Sequence, residues 1–195
     1  MAEVKLIDRH AGAMSLRSWL FGLGLGSVAA GLGRVRFATA APETVVPVEV
    51  FSADGRDQGT QPLPKVVRAD DDWRGRLSTE EFDVTRRAGT ERPYTGRTWN
   101  QHASGLYRCV CCDSALFDSA AKFESGTGWP SFWQPIAAKN VVEHRDRSFG
   151  FLRTEITCVR CDAHLGHVFD DGPKPTGLRY CMNSTAMRFV LHAEA

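Results

Sequence analysis

Two Cys-x-x-Cys knuckles constrain the fold of this chain more than any other feature: Cys109-Val110-Cys111-Cys112 and Cys158-Val159-Arg160-Cys161, with 45 residues (113–157) between them. Knuckles of this kind at the ends of β-hairpins can bring four soft thiolates to the corners of a tetrahedron, the arrangement of a closed structural zinc site. The separation is longer than a compact zinc ribbon uses. Cys111 also permits a Cys-x-Cys pairing, but the two-residue gap fits the usual chelate turn, so Cys109, Cys112, Cys158 and Cys161 are taken as ligands of one Zn2+ and Cys111 points elsewhere. Two disulfides are the competing use of four cysteines in an exported protein. A disulfide needs only a Cα separation of about 5.5 Å and gives no reason to repeat Cys-x-x-Cys. With four protein thiolates the metal keeps no open position, and its expected role is structural.

The chain has 195 residues, 43% of them hydrophobic and 24% charged, enough for one core of ordinary size with an appended segment. A net charge of +1 supplies no long-range field for gathering nucleic acid or anionic lipid, and no nucleic-acid partner is expected. All six cysteines lie at position 109 or beyond, so their chemistry belongs to one region.

The uncharged stretch Trp19–Gly33 is too short and glycine-rich to span a bilayer comfortably, but it suits the apolar middle of an export signal. Ala38-Thr39-Ala40 offers a small-x-small cleavage pattern. Residues 1–41 therefore read as an export signal, implying an exported or periplasmic protein with no stable membrane span; a cytoplasmic tail or a retained anchor are the alternatives. Residues 42–72 scatter Pro, Gly and Asp among few periodic apolar positions and read as a linker or flexible arm. The folded domain is expected over 73–195. Ser78-Thr79-Glu80-Glu81 forms a capping box, so a short helix should run to about Ala88 and end at Gly89. Short β-rich runs follow at 105–110, 141–144, 151–156 and 187–191, separated by turns such as Ser125-Gly126-Thr127-Gly128. A mainly β domain with short helices at its entrance is the fold this supports.

Cys181 stands outside the quartet. A lone cysteine in a β-rich run is ordinarily a small buried hydrophobe. Here Arg179 and Asn183 flank it at two-residue spacing, so an extended strand puts all three side chains on one face, and a cation beside a thiol favours the reactive thiolate. His164 and His167 directly follow the second knuckle and could act as proton donor and orienting partner, or as ligands of a Cys3His site. Core packing explains most aromatics, but Trp129, fixed between Gly128 and Pro130, is an unusual place for core material, and an exposed indole would suit an apolar methyl on a polar sulfur.

Taken together, Tyr107–Cys112, Lys122–Phe132, Cys158–Phe169 and Arg179–Ser184 resemble the R-specific methionine sulfoxide reductases, the MsrB family, over roughly residues 73–191. The resemblance implies a β-tent-like pair of small antiparallel sheets, stapled by zinc on the side away from the active site. It implies reduction of methionine-R-sulfoxide in peptides or proteins, with Cys181 attacking sulfur and becoming a sulfenic acid while His164 or His167, with Asn183 and Arg179 nearby, supplies the proton. Trp129 and Phe132 would hold the substrate, and a thioredoxin-like thiol would recycle the enzyme, which is expected to be a monomer. At position 127, where members often carry a cysteine, this chain has Thr127. Cys111 is then either a resolving thiol or an incidental neighbour of the metal. A non-catalytic zinc module and a redox sensor that uses Cys181 without turnover are the rival readings.

Overall fold

The computed structural model describes residues 43–148 and 152–193. The export-signal reading of residues 1–41 lies outside the described residues, and among those described no helix is long and apolar enough to cross a membrane.

The segment 42–72, expected to be a linker, instead folds as a hairpin of β1 (Val45–Phe51) and β2 (Asp57–Pro64), paired antiparallel from Val45–Pro64 to Phe51–Asp57. Strand β2 is exposed along most of its length and contains Gly59, Pro62 and Pro64, which is why no apolar alternation betrays it. It is anchored by polar contacts. The fully buried Asn140 side chain accepts the Glu49 N–H at 2.8 Å and donates to the carbonyls of Glu49 at 2.8 Å and Ala115 at 2.9 Å. Val66 N–H donates to Arg160 C=O at 2.7 Å, and Val48 is buried.

Helices α1 (Asp70–Arg74) and α2 (Thr79–Arg87) come next. The capping box is complete: Ser78 Oγ accepts the Glu81 N–H, and the Glu81 carboxylate accepts the Ser78 N–H. The left-handed residue that ends α2 is Ala88, with φ of 53°, and not Gly89. Glycine next to it eases a close approach: the Gly89 N–H donates to Asp83 C=O, and a Cβ at Gly89 would lie 3.0 Å from that oxygen.

A three-stranded sheet has the order β11 (Met187–Leu191), β3 (Gly105–Cys109), β4 (Ala115–Asp118). A six-stranded sheet runs β5 (Lys122–Phe123), β6 (Ser131–Phe132), β10 (Arg179–Met182), β9 (His164–Phe169), β8 (Arg153–Cys158), β7 (Val141–Asp146). Their pairings are antiparallel, as expected for a mainly β fold; the N-terminal hairpin adds a third sheet to the two anticipated.

Side chains from both larger sheets meet in one core. Phe132 is fully buried there, stacked on Phe117 at 4.4 Å between ring centroids and edge-on to Tyr107 at 4.8 Å. This corrects the expectation that Phe132 binds substrate. Next to Ser131 on a two-residue strand its side chain takes the opposite face, and burial of a ring this size contributes about 2–3 kcal/mol to the fold.

Candidate active site

The two knuckles share one local geometry. Each first cysteine carbonyl accepts the N–H of an aspartate four residues on, Cys109 from Asp113 and Cys158 from Asp162, both at 2.9 Å. Both aspartates have positive φ, 65° and 55°, which Asp tolerates better than most residues. The turns converge so that the four Sγ atoms of Cys109, Cys112, Cys158 and Cys161 lie within 4.8 Å of one another. Cys109 to Cys161 is 3.6 Å and Cys112 to Cys158 is 3.5 Å. Four sulfurs at about 2.3 Å from a tetrahedral metal would be about 3.8 Å apart, whereas a disulfide needs about 2.05 Å. The quartet thus fits a structural metal, and none of the six cysteines is joined in a disulfide. Arg160, inside the second knuckle, ties it to the first by donating to Cys112 C=O and to the hairpin by donating to Pro64 C=O, each at 3.2 Å.

The chain that forms the second knuckle continues directly into β9, where a β-bulge shapes the face that carries the two histidines. Glu155 pairs with His167 and Ile156 with Gly166, but Thr157 pairs with His164, so Leu165 is an extra residue. Three positions apart, the two histidines of a regular strand would face opposite ways; with the bulge their rings come within 5.4 Å. His164 is buried behind the site with Nδ1 2.6 Å from Glu155 Oε1. His167 faces a pocket of about 150 Å³ together with Trp129, Cys181, Asn183 and Arg153. Its Nε2 is 2.8 Å from Asp146 Oδ2.

Cys181 occupies the middle of β10, paired with His167 on one side and Ser131 on the other. Gly166, opposite Met182, allows this close seating, because a Cβ there would lie 2.2 Å from Cys181 C=O. Arg179 shares the partly exposed face of β10 with Cys181. Its guanidinium makes two 2.8 Å bonds to the Asp171 carboxylate and lies over Phe169 at 4.4 Å. Burial pushes the Cys181 thiol up, against the opposing pull of the Thr127 hydroxyl and the Arg179 charge. Arg179 does favour the thiolate, as the sequence suggests, but desolvation outweighs it. Burial likewise holds His167 below its ordinary value despite Asp146, leaving a neutral imidazole at pH 7. Asp146 is itself held low by bonds from Ser148 first and His167 next.

Asn183 lies just past β10 and does more framing than the sequence implies. Its Oδ1 accepts the Glu91 N–H at 3.1 Å, and its Nδ2 donates to Leu165 C=O at 3.1 Å. The Trp129 indole N–H donates to Glu91 C=O, also at 3.1 Å. The buried Glu91 carboxylate in turn accepts the N–H groups of Ser184 and Thr185. Glu91 is the residue that sequence reasoning missed; only the oddity of a carboxylate in the turn-rich run Gly89-Thr90-Glu91-Arg92-Pro93 could have flagged it.

A mainly β protein with a cysteine quartet that fits a structural metal and a separate pocket lined by a cysteine, a histidine and a tryptophan is the class this geometry defines, and comparison with known proteins narrows it. Residues 77–191 match the SelR domain. The chain is 57% identical over 125 residues to the peptide methionine sulfoxide reductase MsrB of Herminiimonas arsenicoxydans, covering 64% of this chain and 91% of that relative. It is 53% identical over 127 residues to the MsrB of Pseudomonas putida strain W619, covering 65% and 96%, and 54% identical over 126 residues to that of Agrobacterium fabrum, covering 65% and 93%. The chain belongs to the SelR-domain family of peptide methionine sulfoxide reductases, MsrB.

Proposed function

We propose that Cys181 is the nucleophile with which this chain, an oxidoreductase acting on sulfur, reduces methionine-R-sulfoxide in peptides or proteins to methionine. The observation that carries the assignment is the placement of Cys181 opposite His167, in the same pocket as Trp129. The indole, held by its bond to Glu91, packs on the substrate's terminal methyl and leaves the sulfoxide oxygen on the His167 side. As Sγ attacks and bonds to the sulfoxide sulfur, its proton is relayed through the neutral His167 imidazole to the sulfoxide oxygen. The protonated oxygen then moves to Sγ: the S–O bond and the transient Sγ–S bond break, an Sγ–O bond forms, methionine leaves, and Cys181 is left as a sulfenic acid. His164, buried against Glu155, orients His167 from behind, and Arg179 supports the thiolate.

Two thiols restore the enzyme: one condenses with the sulfenic acid and releases water, and the second reduces the mixed disulfide. Thr127, where a resolving thiol would stand, cannot take the first role, and Cys111 is tethered inside the knuckle between the ligands Cys109 and Cys112. Reduction therefore falls to an external thioredoxin-like donor, an exported one if residues 1–41 act as the signal they resemble. The metal is zinc, since four thiolates in a closed tetrahedral set suit it and leave no position for water or substrate. The chain acts as a monomer in the repair of oxidised proteins.

The test is turnover on separate R and S epimers of a methionine sulfoxide peptide with dithiothreitol, wild type against Cys181→Ser. Activity on R alone, lost in the variant, is expected; activity that survives in Cys181→Ser refutes the assignment.

A further inference from the structure

Three hydroxyls line up behind the reacting sulfur. Thr127 Oγ1 lies 3.9 Å from Cys181 Sγ, Ser125 Oγ is 2.8 Å from Thr127 Oγ1, and Ser131 Oγ is 2.7 Å from Ser125 Oγ. The row ends on the Trp129 carbonyl, which accepts from Ser131 Oγ at 3.3 Å. Gly126 and Gly128, with φ of 72° and 88°, set Thr127 between two left-handed residues and so turn it toward the nucleophile. Ser131 is buried and is the cross-strand partner of Cys181.

A hydroxyl has one proton and two lone pairs and rotates freely, so such a row has two consistent directions. With Cys181 protonated, its S–H points to Thr127, Thr127 donates to Ser125, Ser125 to Ser131, and Ser131 to the Trp129 carbonyl. With Cys181 ionised, every donor turns round: Ser131 gives to Ser125, Ser125 to Thr127, and Thr127 to the thiolate. No proton leaves the row in either direction. Hydrogen bonds in a chain polarise one another, and one that ends on a charge is stronger than a neutral one.

We propose that Ser131, Ser125 and Thr127 form a reversible hydroxyl chain that stabilises the Cys181 thiolate during attack, with Thr127 as the residue touching the reacting sulfur and Ser125 as a positioning residue acting through it. The proposal rests on Cys181 being the nucleophile. It gives Thr127 a part in the reduction half of the cycle. The other charged or titratable groups facing Cys181 are Arg179 on its own strand with Asp171 behind it, His167 on β9 with His164 and Asp146 behind it, and Arg153 on β8. All of these stay in place in the variants below.

The experiment is the pH dependence of Cys181 alkylation by iodoacetamide, read by mass on the Cys181 peptide, in the metal-loaded full chain carrying Cys111→Ser. Ser125→Ala and Thr127→Val should each move the midpoint upward by about one pH unit, a tenfold loss of thiolate at pH 7, while Thr127→Ser keeps the midpoint of the parent. An unmoved midpoint in Ser125→Ala overturns the chain even if Thr127→Val shifts, because Thr127 would then act alone. If Thr127→Val fails to fold, Ser125→Ala and Thr127→Ser decide the matter. Failure of the underlying reading shows separately, as turnover retained by Cys181→Ser.

Discussion

Glu91 and Ser184, 93 positions apart, are joined by a hydrogen bond of 2.6 Å from the Ser184 N–H to a buried carboxylate oxygen. This bond, with that from Thr185 N–H, fixes the backbone immediately beyond Asn183. The other side of Glu91 holds the Trp129 indole through its own carbonyl. One residue therefore ties the end of the Cys181 strand to the Trp129 ring of the pocket.

Glu91→Ala should leave two backbone donors without partners and destabilise the chain by about 3 kcal/mol. It should also lower kcat/KM on a sulfoxide peptide by between about tenfold and about a hundredfold, because Trp129 loses its register with Cys181. Glu91→Gln, which keeps an acceptor, should lose less on both counts. Urea denaturation run beside turnover measures the two effects, and a stable, fully active Glu91→Ala would contradict the framing role.

Metal removal should unfold the domain. Structural zinc contributes roughly 10–16 kcal/mol in small sites, comparable with or larger than the whole net stability of an ordinary domain, roughly 5–15 kcal/mol. A strong chelator, or Cys109→Ala, should abolish the cooperative thermal transition followed by tryptophan fluorescence, with about one zinc per chain released to a metal dye. A chelated protein that still melts cooperatively at the original temperature would show the quartet to be dispensable.

His167 should make stability fall as the solution turns acidic. Its folded pKa is depressed by burial, so below about pH 6.5 the unfolded chain binds the proton first, and stability declines with pH until the folded value is passed. Asp146, also depressed, loses its contribution in a separate window, below the ordinary carboxylate pKa. Denaturant midpoints between pH 8 and pH 5 should therefore drop in the wild type and drop less in His167→Gln. Equal slopes in the two proteins would rule out His167 as the source.

The parts legible in the sequence were those with local signatures: the capping box at Ser78, the paired knuckles, the β-rich runs and the isolated Cys181. The hairpin was not legible because β2 buries almost nothing, and its anchor, Asn140, lies 91 positions from its partner Glu49. Phe132 was misread because proximity to Trp129 in the chain says nothing about which face of β6 a ring takes. The histidines could not be told apart without the bulge at Leu165, which only pairing with β8 reveals. Glu91 was invisible for a related reason: its value lies entirely in contacts more than 30 positions away.

The cysteine quartet also bears on how the chain finds its fold. Cys109 and Cys161 are 52 positions apart, on strands that belong to different sheets or lead into them. Closing a loop of that length costs about 3.5 kcal/mol in chain entropy before any sheet contact repays it. Ligands gathered on a metal early in synthesis would meet that cost once, bringing β3 and the start of β9 together while the strands between them are still unpaired. The timing of metal capture would then set how fast the chain folds and how long its unpaired strand edges stay open to other molecules.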